Sequence, residues 1–217
     1  MRNEFFETVN EFKETQSARI LIIEAFREIR PSSKNRFATL LCIFLAVIVA
    51  LKVALDPGTV SLISVTCGRL IEMQLAIFGC VFAVYSILLA FLSDGYMKRL
   101  ARIPDKETKA SFLKKSVTYY ESVLFLYFIN IGVSGFLLII MDIIPPEARL
   151  TSNLQLDNIL AIVGLFFYYI FSFRVFYEVK STIYNTIVLF RASIAYRFLD
   201  YEIEKSEKDT SETGKTE

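Results

Sequence analysis

The stretch LFFYYIFSFRVFYEVK, Leu165 to Lys180, decides how this chain is organised. It begins as sequence that is apolar enough for a bilayer and then takes on charged residues from Arg174 onward, with no Pro or Gly to end a helix. Because helices commonly end at such residues, their absence favours one continuous helix. We predict a helix over residues 158–201 that leaves the membrane near Tyr177 and continues into the cytoplasm.

The composition indicates a membrane protein. Of 217 residues, 54% are hydrophobic and 22% are charged, and the mean hydropathy is +0.46. The charges must therefore be separated from long apolar runs, each of which needs about 20 residues to cross roughly 30 Å of hydrocarbon. Four runs meet this requirement, and all five prolines lie outside them. They are residues 37–55, 73–92, 117–141 and 158–177, and they predict an all-α protein with four transmembrane helices.

The distribution of basic residues predicts the orientation. Of 24 Lys and Arg residues, all but Lys52, Arg69 and Arg149 lie before the first run, between the second and third, or from Arg174 onward. Positive residues collect on the cytoplasmic side of a membrane. We therefore expect a multi-pass protein of the cell inner membrane with both termini in the cytoplasm, and short outer loops at 56–72 and 142–157.

The cytoplasmic parts are predicted to form a helical lobe. It consists of an N-terminal helical segment (1–36), a basic loop (93–116), a stalk helix (178–203) that continues the fourth span, and a disordered polar tail (204–217). The basic loop is expected to bind anionic lipid at the inner face of the bilayer. Its candidate contact residues are Lys98, Arg99, Arg102, Lys114 and Lys115.

The stalk helix has an apolar stripe with helical spacing, which predicts a packing surface. The stripe contains Phe176, Val179, Ile183, Ile187, Phe190, Ile194, Phe198 and Tyr201. Three partners fit it: the N-terminal segment, the same stalk in a second subunit, and the membrane surface. The N-terminal segment offers a matching stripe of its own, made of Phe5, Val9, Phe12, Ile20, Ile23, Phe26 and Ile29.

A few polar residues fall inside the predicted spans. Glu121 and Arg174 lie at similar depth near the cytoplasmic edge, which fits an ion pair that fixes the hairpin, or a charged ring at the inner mouth of a pore. Arg174 is also expected to extend its guanidinium to the inner headgroups. Asn130, near small residues in the middle of the third span, predicts hydrogen bonding between helices, and Gln74 is expected at the outer interface.

Nothing in the sequence predicts catalysis. The chain has no His, which removes the commonest general base and His-containing metal sites. It also has no nucleotide-binding or metalloprotease motif. Cys67 stands alone in a predicted outer loop, where an intermolecular disulfide is an alternative to a free thiol. We expect a protein that is not an enzyme, has no cofactor or metal, and does not bind nucleic acid directly.

Four spans, cytoplasmic termini, short outer loops and a helical inner stalk resemble the small membrane subunits of bacterial antiphage systems, of the Kiwa-type or abortive-infection effector kind. This resemblance implies a soluble cytoplasmic partner and defence through sensing or disruption of the inner membrane. The stalk and the small-residue faces predict a homo-oligomer, with a tetramer as the working assumption. Two alternatives are a small ion channel and an immunity protein against a pore-forming bacteriocin.

Overall fold

The computed structural model describes residues 18–30, 36–91, 112–145 and 153–213. Apart from short connections, this part of the chain is helical. Its helices are α1 (Ala18–Glu28), α2 (Arg36–Ala54), α3 (Thr59–Phe91), α4 (Phe112–Ile143) and α5 (Leu154–Thr213). Four of these, α2 to α5, are long and apolar enough to cross a membrane. The predicted all-α architecture with four helices of membrane-spanning length is confirmed.

A tight connection joins α2 to α3, because only residues 55–58 separate them. Asp56 organises it: its carboxylate accepts a hydrogen bond from the Gly58 N–H at 2.8 Å, and its carbonyl accepts one from the Thr59 hydroxyl at 2.6 Å. Such a bond from a carboxylate to the backbone two residues on is typical of an Asx turn. The chain therefore reverses at once, and α2 and α3 form a helical hairpin.

The position of α3 corrects the predicted second span. α2 has 19 residues, just enough to cross the hydrocarbon, and α3 turns back directly after it at Thr59. Residues 59–72 are therefore helical and do not form the predicted loop, whereas the depth at which α3 enters the hydrocarbon stays a prediction. Hydropathy missed this part of the helix because Arg69 and Glu72 lower the apolarity of a window through which the helix continues.

α4 and α5 both extend beyond the predicted spans. α4 covers residues 117–141 and begins earlier, so Lys114 and Lys115 lie on a helix and not in a loop. α5 has 60 residues, or about 90 Å at roughly 1.5 Å per residue, three times the hydrocarbon thickness. The continuous helix predicted from the stretch at Leu165 is confirmed.

The end of α5 corrects the predicted tail. The helix continues to Thr213, through most of the segment 204–217 that composition assigns to disorder. Adding residues to an existing helix is far easier than starting one, because each new residue adds a hydrogen bond without a new nucleus. The next helix breaker after Gly164 is Gly214, one residue past the end of α5.

The chain divides into two compact units. The first unit comprises Gln16–Phe82 and Tyr119–Ser181, and its apolar residues form two clusters. One cluster joins α2, α3 and α5 around Ala46, Cys67 and Tyr169. The other joins α1, α3, α4 and α5. Of the described residues, the second unit contains 83–91, 112–118 and 182–213.

Candidate functional site

Arg174 lies on α5 with 5% of its surface exposed, so its charge is buried. Its Nε and Nη2 atoms donate hydrogen bonds to the carbonyl oxygen of Ile29, at 3.1 and 2.8 Å. Ile29 directly follows the last residue of α1, where backbone carbonyls lack a partner within the helix and carry a partial negative charge. Arg174 therefore caps the C-terminal end of α1.

Glu178 supplies the negative charge that accompanies Arg174. Its Oε1 atom lies 3.9 Å from Nη2 of Arg174, one turn further along α5. Glu178 is 4% exposed, so both members of the pair are withdrawn from water. The guanidinium carbon also lies 5.8 Å from the ring centre of Tyr177, within the range of a cation–π contact. We refer to Arg174, Glu178 and the Ile29 carbonyl as the arginine clamp.

Apolar contacts hold α1 against the same part of α5. Ala25 is fully buried and belongs to one cluster with Val175. The ring of Phe26 stacks on that of Phe171, with centroids 5.9 Å apart. Val179, the second residue of the predicted stalk stripe, packs against this cluster. The N-terminal segment therefore covers the beginning of the stripe.

The exposed side of α1 differs from the sequence prediction. Ile20 and Ile23, which the predicted stripe turns toward the stalk, are 47% and 54% exposed. Phe26 and Ile29 of the same stripe do contact α5, together with Ala25 beside them, whose small side chain lets the two backbones approach closely. Phe5, Val9 and Phe12 of the same stripe lie outside the described residues.

The environment of Arg174 corrects one prediction and leaves another open. Its guanidinium does not extend to the headgroups, because the end of α1 covers it and supplies acceptors within the protein. The acidic group near it is Glu178 on its own helix, one turn away. Glu121 lies half-buried on α4, and its pairing with Arg174 stays a prediction.

Hydrogen bonds also connect α4 and α5 inside the membrane region. We call these bonds the polar seam. They run from the Tyr168 hydroxyl to Ser134 (2.8 Å), from the Ser172 hydroxyl to Asn130 Oδ1 (3.0 Å) and from the Tyr127 hydroxyl to the Val175 carbonyl (3.1 Å). The positions fall one turn apart on two antiparallel helices, so the bonds form successive rungs. Asn130 therefore bonds across helices within one chain. Each rung fixes the register of α4 against α5.

Gln74 lies deeper than the sequence predicts. It is fully buried, and neither its amide oxygen nor its amide nitrogen has a hydrogen-bond partner within the described chain. The Ser64 hydroxyl donates to Asp142 at 2.8 Å, which fixes the antiparallel register of α3 and α4. Counting inward from this contact places Gln74 at about the depth of Asn130. The Gln74 side chain is therefore buried among the helices and not exposed as interfacial polarity would require.

Most of the predicted stalk stripe is open on the chain's surface. Ile183, Ile187, Ile194 and Phe198 are 54%, 45%, 54% and 68% exposed, and Phe176 and Phe190 are half-buried. The buried face of this part of α5 instead contains Thr182, Leu189 and Ser193. Among the described residues, the stripe packs mainly at its beginning, and packing between subunits stays a prediction.

Between α4 and α5 lies an apolar groove of about 610 Å³. Phe128, Phe136, Phe167 and Phe171 form its rims, and Gly132 is part of its lining. Its composition suits hydrocarbon and not ions. In the described residues, no group of three or more His, Cys, Asp or Glu side chains is placed to hold a metal ion.

The basic cluster is only partly within the described chain. Lys114 is half-buried and Lys115 is exposed, both in the first turn of α4. Lys98, Arg99 and Arg102 lie outside the described residues. Binding of anionic lipid by this cluster stays a prediction.

Comparison with protein-family models, with curated proteins and with solved structures finds no match to this chain. The site therefore has to be interpreted from its own geometry. Two residues of the site, Glu178 and Ile29, were not predicted from the sequence to take part in it. Glu178 carried a usable signal, since it lies four residues after Arg174 and so on the same helix face. The Ile29 carbonyl carried none, because a backbone acceptor has no signature in the sequence.

Proposed function

We propose that this chain is a non-enzymatic, oligomeric inner-membrane protein that acts as a sensor and effector with a soluble cytoplasmic partner, in antiphage defence. The arginine clamp is the observation that carries this proposal. It ties a short helix outside the spans to the one helix that continues through the membrane into the stalk. Whatever moves α1 therefore acts directly on α5.

The clamp suits a switch between two states, one with α1 docked on α5 and one with α1 released. When α1 is docked, the buried guanidinium has two hydrogen bonds to the Ile29 carbonyl. When α1 leaves, the guanidinium loses these acceptors and α5 has to shift or rotate to hydrate it. A partner that binds free α1 more tightly than docked α1 would shift this equilibrium toward the released state.

α1 offers a surface for such a partner. Ile20, Ile23 and Phe26 expose 47%, 54% and 44% of their surface on a helix outside the predicted spans. Apolar residues on an exposed helix are common anchors for a groove in another protein. The partner therefore has a binding face that does not include the clamp itself.

The partner surface is tested by Ile20→Glu with Ile23→Glu. We expect the soluble protein encoded beside this chain to copurify with the wild type and to be lost from the double variant, because charges cannot enter an apolar groove. Ile20→Leu with Ile23→Leu, which keeps the same face of α1 apolar, is the matched control and should retain the partner. Equal recovery of the partner with all three chains would contradict this assignment.

The predicted orientation has its own test. A fluorescent protein fused after Glu217 should fluoresce and a periplasmic phosphatase fused there should be inactive, since the basic residues favour cytoplasmic termini. The reverse pattern would remove the cytoplasmic partner from the proposal.

An oligomer is supported by the open stalk stripe. Its positions repeat every eleven residues, as with Ile183 and Ile194 or Ile187 and Phe198. This spacing keeps an apolar stripe almost parallel to the axis of a straight helix and favours a slightly right-handed bundle. Light scattering of the protein in mild detergent should therefore give more than one chain per particle.

A small ion channel is the second candidate, and the polar seam is the observation that favours it. Polar groups at several successive depths of a span are typical of ion and proton paths. In this chain, however, the seam is buried and its members bond to one another. Unitary currents from purified protein in planar bilayers, altered by Glu121→Gln, would favour the channel. Depolarisation only in the presence of the partner would favour the sensor.

A further inference from the structure

Two charged residues of α3, Arg69 and Glu72, are exposed on the surface of the chain and fall within the candidate span Thr59–Ile87. α3 starts at Thr59, immediately after the hairpin turn. The contact between Ser64 and Asp142 places Ser64 level with the outer end of the apolar run of α4. Arg69 therefore lies about 8 Å and Glu72 about 12 Å further inward, at a rise of roughly 1.5 Å per residue, in the outer half of the hydrocarbon.

Charged side chains at this depth need protein or water around them in place of lipid tails. Ionisable side chains in transmembrane helices face the protein interior, a water-filled cavity or an oppositely charged partner, because lipid tails cannot solvate them. Within this chain Arg69 and Glu72 are instead on the surface. Another macromolecular surface or an aqueous space must therefore meet this side of α3.

The residues around the two charges suit close packing of another helix. Arg69 and Glu72 are three positions apart, so they lie on one face of α3. The same face continues in both directions with exposed and mostly small side chains. These are Ser61, Val65, Ala76, Gly79 and Cys80. Small residues at such spacing let two transmembrane backbones approach closely.

We propose that this face of α3 is the membrane interface with a second copy of the chain, in which Arg69 of each copy pairs with Glu72 of the other. The inference deepens the proposed oligomer and rests on it. All copies in one membrane have the same topology, so two α3 helices meet in parallel. A two-fold axis then brings each Arg69 toward the partner copy's Glu72, one helical turn away, and makes two identical ion pairs.

Charge complementarity is what identifies the occupant. The face carries one positive and one negative group, so it is complementary to itself and has no net charge to attract an anionic or cationic ligand. Arg has the length and the planar donor geometry to bridge the offset of one turn between parallel helices. Two such pairs enclosed by small residues would remove all four charges from lipid.

Symmetric disulfide formation tests the contact. Cys42, Cys67 and Cys80 are replaced by Ala, and Ala76→Cys is introduced on the proposed interface of the full chain in its native membrane. Oxidation should give a disulfide-linked dimer, since the same residue of two parallel helices meets itself at such an interface. Leu75→Cys, also exposed but on a different side of α3, is the matched control and should remain monomeric.

Charge changes test the pairing itself. Arg69→Glu gives a chain with two acidic groups on the face, and Glu72→Arg gives one with two basic groups. Each variant alone should lose the crosslink at position 76. Coexpression of the two, with different tags, should restore it between unlike chains only. An ion pair within one helix cannot produce this rescue, because neither variant contains opposite charges at these positions.

Further measurements also test whether this face of α3 is the interface between two copies. In a chain that keeps Cys80 as its only cysteine, oxidation should also give the dimer, because Cys80 lies on the same face; Ala76→Leu, which keeps both charges and fills the interface, should abolish this crosslink. Reaction of Ala76→Cys with a membrane-impermeant thiol reagent would show an aqueous pore along this face and overturn the proposal. An oligomer by light scattering without any crosslink at position 76 would overturn this interface alone. A monomer would overturn the proposed oligomer as well.

Discussion

Replacing Arg174 with Leu is expected to lower the free energy of unfolding by about 3–5 kcal/mol, the range for removing one member of a buried ion pair. The change deletes both hydrogen bonds to the Ile29 carbonyl and leaves the Glu178 carboxylate buried without its cation. It should also release α1. Trypsin cleavage after Arg19 and Arg27 within α1, measured on the folded protein in nanodiscs, should therefore become faster together with the loss of thermal stability.

Two further variants separate charge from geometry at the clamp. Arg174→Lys keeps the charge but lacks the planar guanidinium, and should lose a smaller part of the stability. Arg174→Leu combined with Glu178→Leu removes both charges and should recover much of the stability lost in the single variant. Cleavage of α1 should stay fast in that double variant, because the bond to Ile29 is still missing. If Arg174→Leu were as stable as the wild type, the clamp would not be what holds α1 against α5.

Replacing Gln74 with Leu is expected to have the opposite effect and to stabilise the protein by about 1–3 kcal/mol. Both polar atoms of the Gln74 amide are buried without a partner in the described chain, which is unfavourable in a membrane interior. Leu has a similar volume and no polar atom. The midpoint of thermal unfolding in one detergent should therefore rise.

Asn130→Leu is the matched control for Gln74→Leu. Asn130 lies at about the same depth and is equally buried, and its Nδ2 also has no partner in the described chain, but its Oδ1 accepts a hydrogen bond from Ser172. Its replacement should destabilise the protein by about 0.6 kcal/mol, the average for such bonds between membrane helices. A loss of stability in Gln74→Leu as large as that in Asn130→Leu would show that the Gln74 amide binds a polar group of its own.

The sequence predicted the helices much better than their depths. Apolar runs locate four helices of spanning length, and the lack of breakers after Leu165 predicts the continuous α5. The start of α3 at Thr59 was missed because hydropathy treats Arg69 and Glu72 as the end of a span. A helix closes its backbone hydrogen bonds internally whatever side chains it carries, so charges alone do not end it.

The site was less predictable because it depends on contacts between distant segments. Arg174 stood out as an ionisable residue near the edge of a span, and Asn130 as a polar one in its middle. The acceptor for Arg174 is a backbone carbonyl 145 residues away in the sequence. The partner of Asn130 is Ser172, whose small hydroxyl is unremarkable in an apolar run. Side-chain chemistry identifies the polar residues, and only the packing of the helices assigns their partners.

The short turn at Asp56 has a consequence for how the protein reaches its membrane. With so few residues between α2 and α3, the two helices have to leave the translocon together as one inserting unit. α2 is the most hydrophobic of the four candidate spans, with a mean hydropathy of 2.6, whereas the first part of α3 contains Arg69 and Glu72. We therefore expect α2 to aid the insertion of this charged part, while the apolar run that follows Glu72 is long enough to insert by itself.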